Sequence, residues 1–283
     1  MTCTAPYEDL ARGLPPALHR LLVDCEPPCS VSVSELALVL ELLPPSRPAA
    51  SLQSLRMLRM LRGLPPELEA ESETPPFVLR RAGALAPGST ARLRAAVDEH
   101  LDASGRVQVE DTEIRAHMLG LSFSSQLVLD RAALEALVGI DAVAVLWRLP
   151  AEVAAGRAAA AAGQHSTAAL SSAGGSTDGA APPEFRGAVE ISVRRYSPDA
   201  RPWVPFHHDR ATCTVNVALA PDSAHSGGTL LGFTKAEGAW SIGRSEGEVT
   251  AHGADLLHAV TRLKGGARYS LILFFGPRGG GEG

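Results

Sequence analysis

Phe206-His207-His208-Asp209-Arg210-Ala211-Thr212-Cys213-Thr214-Val215-Asn216-Val217-Ala218-Leu219 is the stretch on which the fold turns. From Ala211 onward the apolar residues Cys213, Val215 and Val217 alternate with Thr212, Thr214 and Asn216, the period of a strand with one buried face. Just before it, His207 and Asp209 stand two apart, so on extended chain both project to one side while His208 projects to the other. Two metal-ligating side chains on one side need only a third ligand from another strand to make a facial two-histidine, one-carboxylate site. Such a site leaves three positions of an octahedral Fe(II) open.

Working outward, residues after Phe185 form short β-type runs parted by glycine-rich turns: Ala188–Tyr196, Ala211–Leu219, Thr229–Phe233, Glu248–Thr250, Asp255–Val260 and Arg268–Phe275. Short strands at close spacing favour a sandwich or barrel over βαβ units. A jelly roll is the expected form. Ser197–Pro205 and Thr234–Gly247 read as connecting segments.

The third ligand has three downstream candidates, His225, His252 and His258. His258 is favoured, because it sits in the apolar run Leu256-Leu257-His258-Ala259-Val260, where an unliganded imidazole needs another partner. Ten residues on, Arg268 and Ser270 stand two apart, so a guanidinium and a hydroxyl point the same way, a pair suited to an anionic carboxylate. His252, beside Gly253, is expected at the surface. Trp203 and Phe206 flank the metal motif and fit either a substrate groove or packing at the barrel mouth. Thr214 and Asn216 contact a ligand if their face points inward.

The ordered set His207-His208-Asp209, Ser226-Gly227-Gly228-Thr229-Leu230, Leu257-His258-Ala259-Val260 and Gly266-Ala267-Arg268-Tyr269-Ser270-Leu271 resembles the catalytic core of the 2-oxoglutarate- and Fe(II)-dependent dioxygenases. Within that superfamily it is most similar to the prolyl 4-hydroxylase-like branch. The resemblance implies an α+β protein whose cupin-like double-stranded β-helix is flanked by N-terminal helices. It implies Fe(II) held by His207, Asp209 and His258, with Arg268 pairing the distal carboxylate of 2-oxoglutarate, assisted by Ser270. Tyr196 stands near a family tyrosine that contacts the cosubstrate. The implied reaction consumes O2 and 2-oxoglutarate, releases succinate and CO2, and hydroxylates an unactivated C–H bond of a peptidyl (prolyl-like) or small-molecule substrate, with ascorbate as reductant. Asp209 favours hydroxylation, since related halogenases carry a small residue there. The rival reading is a barrel kept as a non-catalytic binding or sensing module.

Composition bounds the rest. The chain has 283 residues, 45% apolar and 20% charged, enough for a substantial core. A net charge of −5 argues against nucleic acid as the main partner. Nucleic-acid demethylases of this scaffold use a second arginine six residues past the first, where this chain has Phe274. No run of about 20 uncharged apolar residues occurs, as a bilayer span needs. The start MTCTAPYEDL lacks a basic, apolar leader, so a cytoplasmic protein without membrane attachment is expected. Cys3, Cys25, Cys29 and Cys213 make no disulfide framework.

Residues 1–72 read as proline-punctuated helices at Ala17–Val23, Ser34–Leu43 and Ser51–Arg62, the last with a basic stripe of Arg56, Arg59 and Arg62. Their role is open. The dioxygenase domain is expected over 77–276, with helical support at 77–157, a low-complexity insertion at 158–183 and the barrel core at 185–276; 277–283 is a tail. Phe77–Leu85 suggests a strand and turn. Ser89–Leu101, Asp130–Val138 and Pro150–Ala160 suggest helices, and Ile140–Leu149 fits either state.

Overall fold

The computed structural model describes residues 11, 12, 14, 16–26, 76–104, 126–162, 182–199, 201–209, 211–234 and 238–277. Expectations for Ser34–Leu43, Ser51–Arg62 and most of 158–183 lie outside these. In chain order the elements are α1 (Pro16–His19), running into a π-helical turn (Arg20–Asp24), β1 (Val78–Arg81), α2 (Pro87–Ser104), β2 (Gln126–Leu129), α3 (Arg131–Val138) and α4 (Ile140–Ala161). Then come β3 (Val189–Tyr196), β4 (Val204–His207), β5 (Ala211–Ala218), β6 (Ser226–Gly227), β7 (Leu230–Thr234) and β8 (Gly238–Ile242). The last are β9 (Val249–Gly253), β10 (Leu257–Val260), β11 (Leu263–Gly265) and β12 (Arg268–Pro277).

A six-stranded sheet has the order β1-β9-β5-β12-β3-β2, and a four-stranded sheet the order β4-β10-β7-β8. Every pairing is antiparallel. From β3 onward the chain crosses repeatedly between them: β3, β5, β9 and β12 lie in the larger sheet, β4, β7, β8 and β10 in the smaller. This strand order is that of a double-stranded β-helix, as expected.

Strand alternation decides which face is which. In register, Leu271 opposes Val217, Leu273 opposes Val215 and Phe275 opposes Cys213, and β5 continues the row to Val249, Ala251 and Gly253. This outer face and the buried Leu93, Val97, Leu134, Leu146 and Trp147 of α2, α3 and α4 form one core. Phe275 takes edge contacts from Trp147 and Phe185, with ring centroids 5.5 and 5.3 Å away. Replacing Leu273 with alanine should cost about 2–5 kcal/mol in urea-induced unfolding, because it is fully buried and rigid neighbours collapse only partly into the gap.

Ile140–Leu149, open between strand and helix, belongs to α4. Val143, Leu146, Trp147 and Val153 recur at helical spacing and meet the sheet, and the helix runs through Pro150 to Ala161. Asp130 caps α3 by accepting a hydrogen bond from the Ala133 amide at 2.7 Å. Both segments expected to be connections contain a strand, β4 and β8. Pro205 and Gly238 disguise them, yet each is an edge strand, where a missing N–H or side chain is tolerated.

The described part of the N-terminal region packs on the barrel. Leu18, Leu21 and Leu22 are buried. The Arg262 amide donates to the Leu22 carbonyl at 2.6 Å, and the Lys264 ammonium to the Asp24 carbonyl at 2.7 Å. Among the described residues no helix is long and apolar enough to cross a membrane.

Candidate metal centre and anion pocket

The pairing of β10 with β4 places His258 opposite His207. Asp209 follows two residues after the end of β4. One ligand atom from each of the three lies within 4.8 Å of the others. His207 Nε2 is 3.5 Å from Asp209 Oδ1, and His258 Nε2 is 3.6 Å from Asp209 Oδ2. His258 Nδ1 donates to the Leu256 carbonyl at 3.1 Å, so the neutral ring carries its lone pair on Nε2, turned toward the carboxylate. Burial, then the neighbouring His207, pushes the His258 imidazole down to about 3, which keeps it neutral and able to ligate. Burial alone raises the Asp209 carboxyl, but His258, His207 and His252 outweigh it and hold it well below the usual carboxylate range. An imidazole lone pair aimed at a buried carboxylate repels it unless a cation lies between, so this donor set fits a divalent metal such as Fe(II).

His208 is not one of that trio; its Nδ1 donates to the Ala254 carbonyl at 3.0 Å. His252 corrects the sequence reading: it is buried, not at the surface. It lies on β9 between β1 and β5, with its Nε2 3.8 Å from Asp209 Oδ2 and its ring centroid 4.8 Å from that of His258. Nothing local marks this burial, since it comes from neighbouring strands distant in sequence. His225 stands elsewhere, its side chain almost fully buried 3.8 Å from Asp222. Trp203 and Phe206 are both packed inside; Phe206 meets Phe233 edge-on at 5.7 Å.

Gly227 and Gly228 turn the chain with φ of +70° and +71°. A Cβ on Gly227 would fall onto the Arg262 carbonyl, and one on Gly228 would sit 3.3 Å from Arg268 Cδ and 3.4 Å from His225 Cε1. Gly227→Ala should therefore lower stability by about 1–3 kcal/mol, read as a drop in melting temperature, from left-handed strain with the clash added.

The larger sheet's inner face is polar. Thr214 opposes His252, Asn216 opposes Thr250, and Arg268 opposes Tyr196. Thr214 and Asn216 thus face inward. The Arg268 guanidinium lies 5.2 Å from the Tyr196 ring centroid and is 2% exposed; its Nε and Nη2 have no acceptor among the described residues. Thr214 Oγ1 and Thr250 Oγ1 are likewise buried without a partner. Burial, then the charge of Arg244, pushes Arg268 down to about 9, so it remains a cation at neutral pH. A buried cation with empty donors is a site for an anion.

Arg244 was not anticipated. It sits between β8 and β9 with its side chain wholly buried, and its Nη1 donates to Asn216 Oδ1 at 3.3 Å and Ser270 Oγ at 3.4 Å. Its Nη2 meets Asp222 Oδ1 at 3.3 Å. Gly243-Arg244-Ser245-Glu246 reads as an ordinary polar turn, so only tertiary structure reveals it.

No family model matches the chain, and no curated protein matches it. Among solved structures it is similar to a prolyl-4-hydroxylase from Pseudomonas putida, at 17% identity over 70% of this chain and 91% of that one, with a TM-score of 0.43. It is similar to a collagen prolyl hydroxylase of Paramecium Bursaria Chlorella virus-1, at 14% identity over 70% of this chain and 94% of that one, with a TM-score of 0.43. It is also similar to a Trichoplax adhaerens prolyl hydroxylase in complex with a hypoxia inducible factor peptide fragment, at 10% identity over 71% and 83%, with a TM-score of 0.42.

Proposed function

We propose that the protein is an Fe(II)- and 2-oxoglutarate-dependent dioxygenase that hydroxylates an unactivated C–H bond of a peptidyl, prolyl-like, or small-molecule substrate. One observation carries this reading: a single barrel holds both the inward-turned His207, Asp209 and His258 and, at Arg268, a buried cation with donors that meet no acceptor among the described residues. Fe(II), bound with 2-oxoglutarate and O2, supplies the oxidising chemistry, in which one oxygen atom enters succinate as CO2 leaves and the other enters the substrate C–H bond.

The chain's own work is coordination, orientation and exclusion of water. His207, Asp209 and His258 hold the metal. Arg268 takes the distal carboxylate of 2-oxoglutarate, Ser270 supports it, and the Tyr196 ring lies alongside the Arg268 guanidinium. Phe206 and Phe233 pack edge-on on the other face of the smaller sheet, one residue out of step with His207 and with the row of His258. Anaerobic addition of Fe(II) and then 2-oxoglutarate tests the reading. A visible charge-transfer band is expected from chelation by the 2-oxo acid, and its absence at saturating concentrations overturns the assignment.

A further inference from the structure

We propose that Arg244 is a specificity-determining residue of the anion pocket, positioning Ser270 and sharing with Arg268 a charge balance that demands a second carboxylate at the far end of the bound 2-oxo acid. The inference rests on the assignment of that pocket to the cosubstrate.

Two buried guanidinium groups, those of Arg244 and Arg268, enter the same interior face, and among the described residues Asp222 is the carboxylate that meets Arg244, its Oδ1 3.3 Å from Arg244 Nη2 and its Oδ2 accepting from the Arg244 amide at 3.0 Å. The nearby acid Glu248 is committed to Arg80 and to the Ser245 amide. Arg244 with Asp222 is neutral, which leaves Arg268, whose Nε and Nη2 have no acceptor among the described residues, as the cation an added carboxylate would meet. One added carboxylate cancels it; a ligand without one leaves a buried charge unpaired, the costly outcome.

Three guanidinium nitrogens in this interior, Arg268 Nε and Nη2 and Arg244 Nε, have no acceptor among the described residues. A carboxylate brings two oxygens and about four lone-pair sites. Ser270 Oγ accepts from Arg244 Nη1, so its own hydrogen is turned away from Arg244 and is free to donate. Ser270 shares its strand face with Arg268, two residues away. Arg244 therefore turns the Ser270 hydroxyl from an ambivalent group into a donor aimed at the anion that Arg268 awaits. The same Nη1 pins Asn216 on β5, so the set is held across two strands.

The test compares two ligands on the full chain loaded with Fe(II) under anaerobic conditions. 2-Oxoglutarate and 2-oxobutyrate share the chelating end and differ in the far carboxylate. Calorimetric titration of the parent protein should show tight binding of the first and at least about 100-fold weaker binding of the second. In Arg244→Met, 2-oxoglutarate should weaken about tenfold while 2-oxobutyrate is unchanged, and Arg244→Lys should recover part of the preference. Equal weakening of both ligands, or an unchanged preference in both variants, overturns the inference. Melting curves identify a variant that fails to fold, and Arg244→Lys then carries the comparison. If the parent protein binds neither ligand, the cosubstrate assignment itself falls; if it prefers 2-oxoglutarate and the variants keep that preference, only the role of Arg244 does.

Discussion

Alanine at His207 or at His258 should reduce 2-oxoglutarate turnover to below about 1% of the parent value, since even loss of a group that only supports a ligand costs roughly 10- to 100-fold. Each substitution removes one of two imidazoles that sit opposite each other across β4 and β10, both aimed at the same carboxylate. Without either, the remaining two donors cannot hold a facial site, and Fe(II) binding by calorimetry should weaken in parallel with turnover. Normal turnover in either variant would refute the ligand assignment. The control is His208→Ala, which removes a ring bonded to the Ala254 carbonyl and should leave Fe(II) affinity within a few fold.

Arg268→Ala should act differently. The 2-oxoglutarate concentration needed for half-saturation should rise about 100-fold, the loss of a charge-assisted, two-pronged contact, while Fe(II) affinity stays nearly unchanged. A variant whose main defect is metal loss would show that Arg268 supports the metal centre and not the anion. The ligand-free protein adds a second readout. Arg268 is a buried cation that repels Arg244 and has two donors without an acceptor among the described residues, so exchange for the apolar Met should leave the melting temperature of the ligand-free protein unchanged or raised. The parent protein, in contrast, should be stabilised by 2-oxoglutarate, and Arg268→Met should lose that stabilisation.

How far the sequence could be read depended on whether each signal was local. The alternation Cys213-Val215-Val217 against Thr214-Asn216 survives as two faces of one strand, outer and inner, because period two is a property of a single strand. His207 and Asp209, or Arg268 and Ser270, are legible for the same reason. His252 is not, because its burial needs β1 on one side and β5 on the other, strands that start far from it in sequence. Arg244 is hidden in a polar turn whose direction is set by Asp222, by Asn216 on β5 and by Ser270 on β12. Strand β4 was missed because Pro205 argues against a strand until its edge position is known.

The place of β12 has a consequence for how the molecule comes into being. It is the last described strand to leave the ribosome, yet it lies in the middle of the larger sheet, between β3 and β5. Until it arrives, those two strands present open edges to each other and to any neighbouring chain, a period of exposure that favours mispairing. Insertion of β12 joins residues 72 to 86 positions apart, from Arg268 back to Tyr196 and Phe275 back to Val189, and such distant pairing slows folding. The pocket around Arg268 cannot exist before that step. Any metal taken up earlier by His207, Asp209 and His258 would meet an interior that still lacks Arg268 and Ser270, so cosubstrate binding as proposed would have to wait for β12.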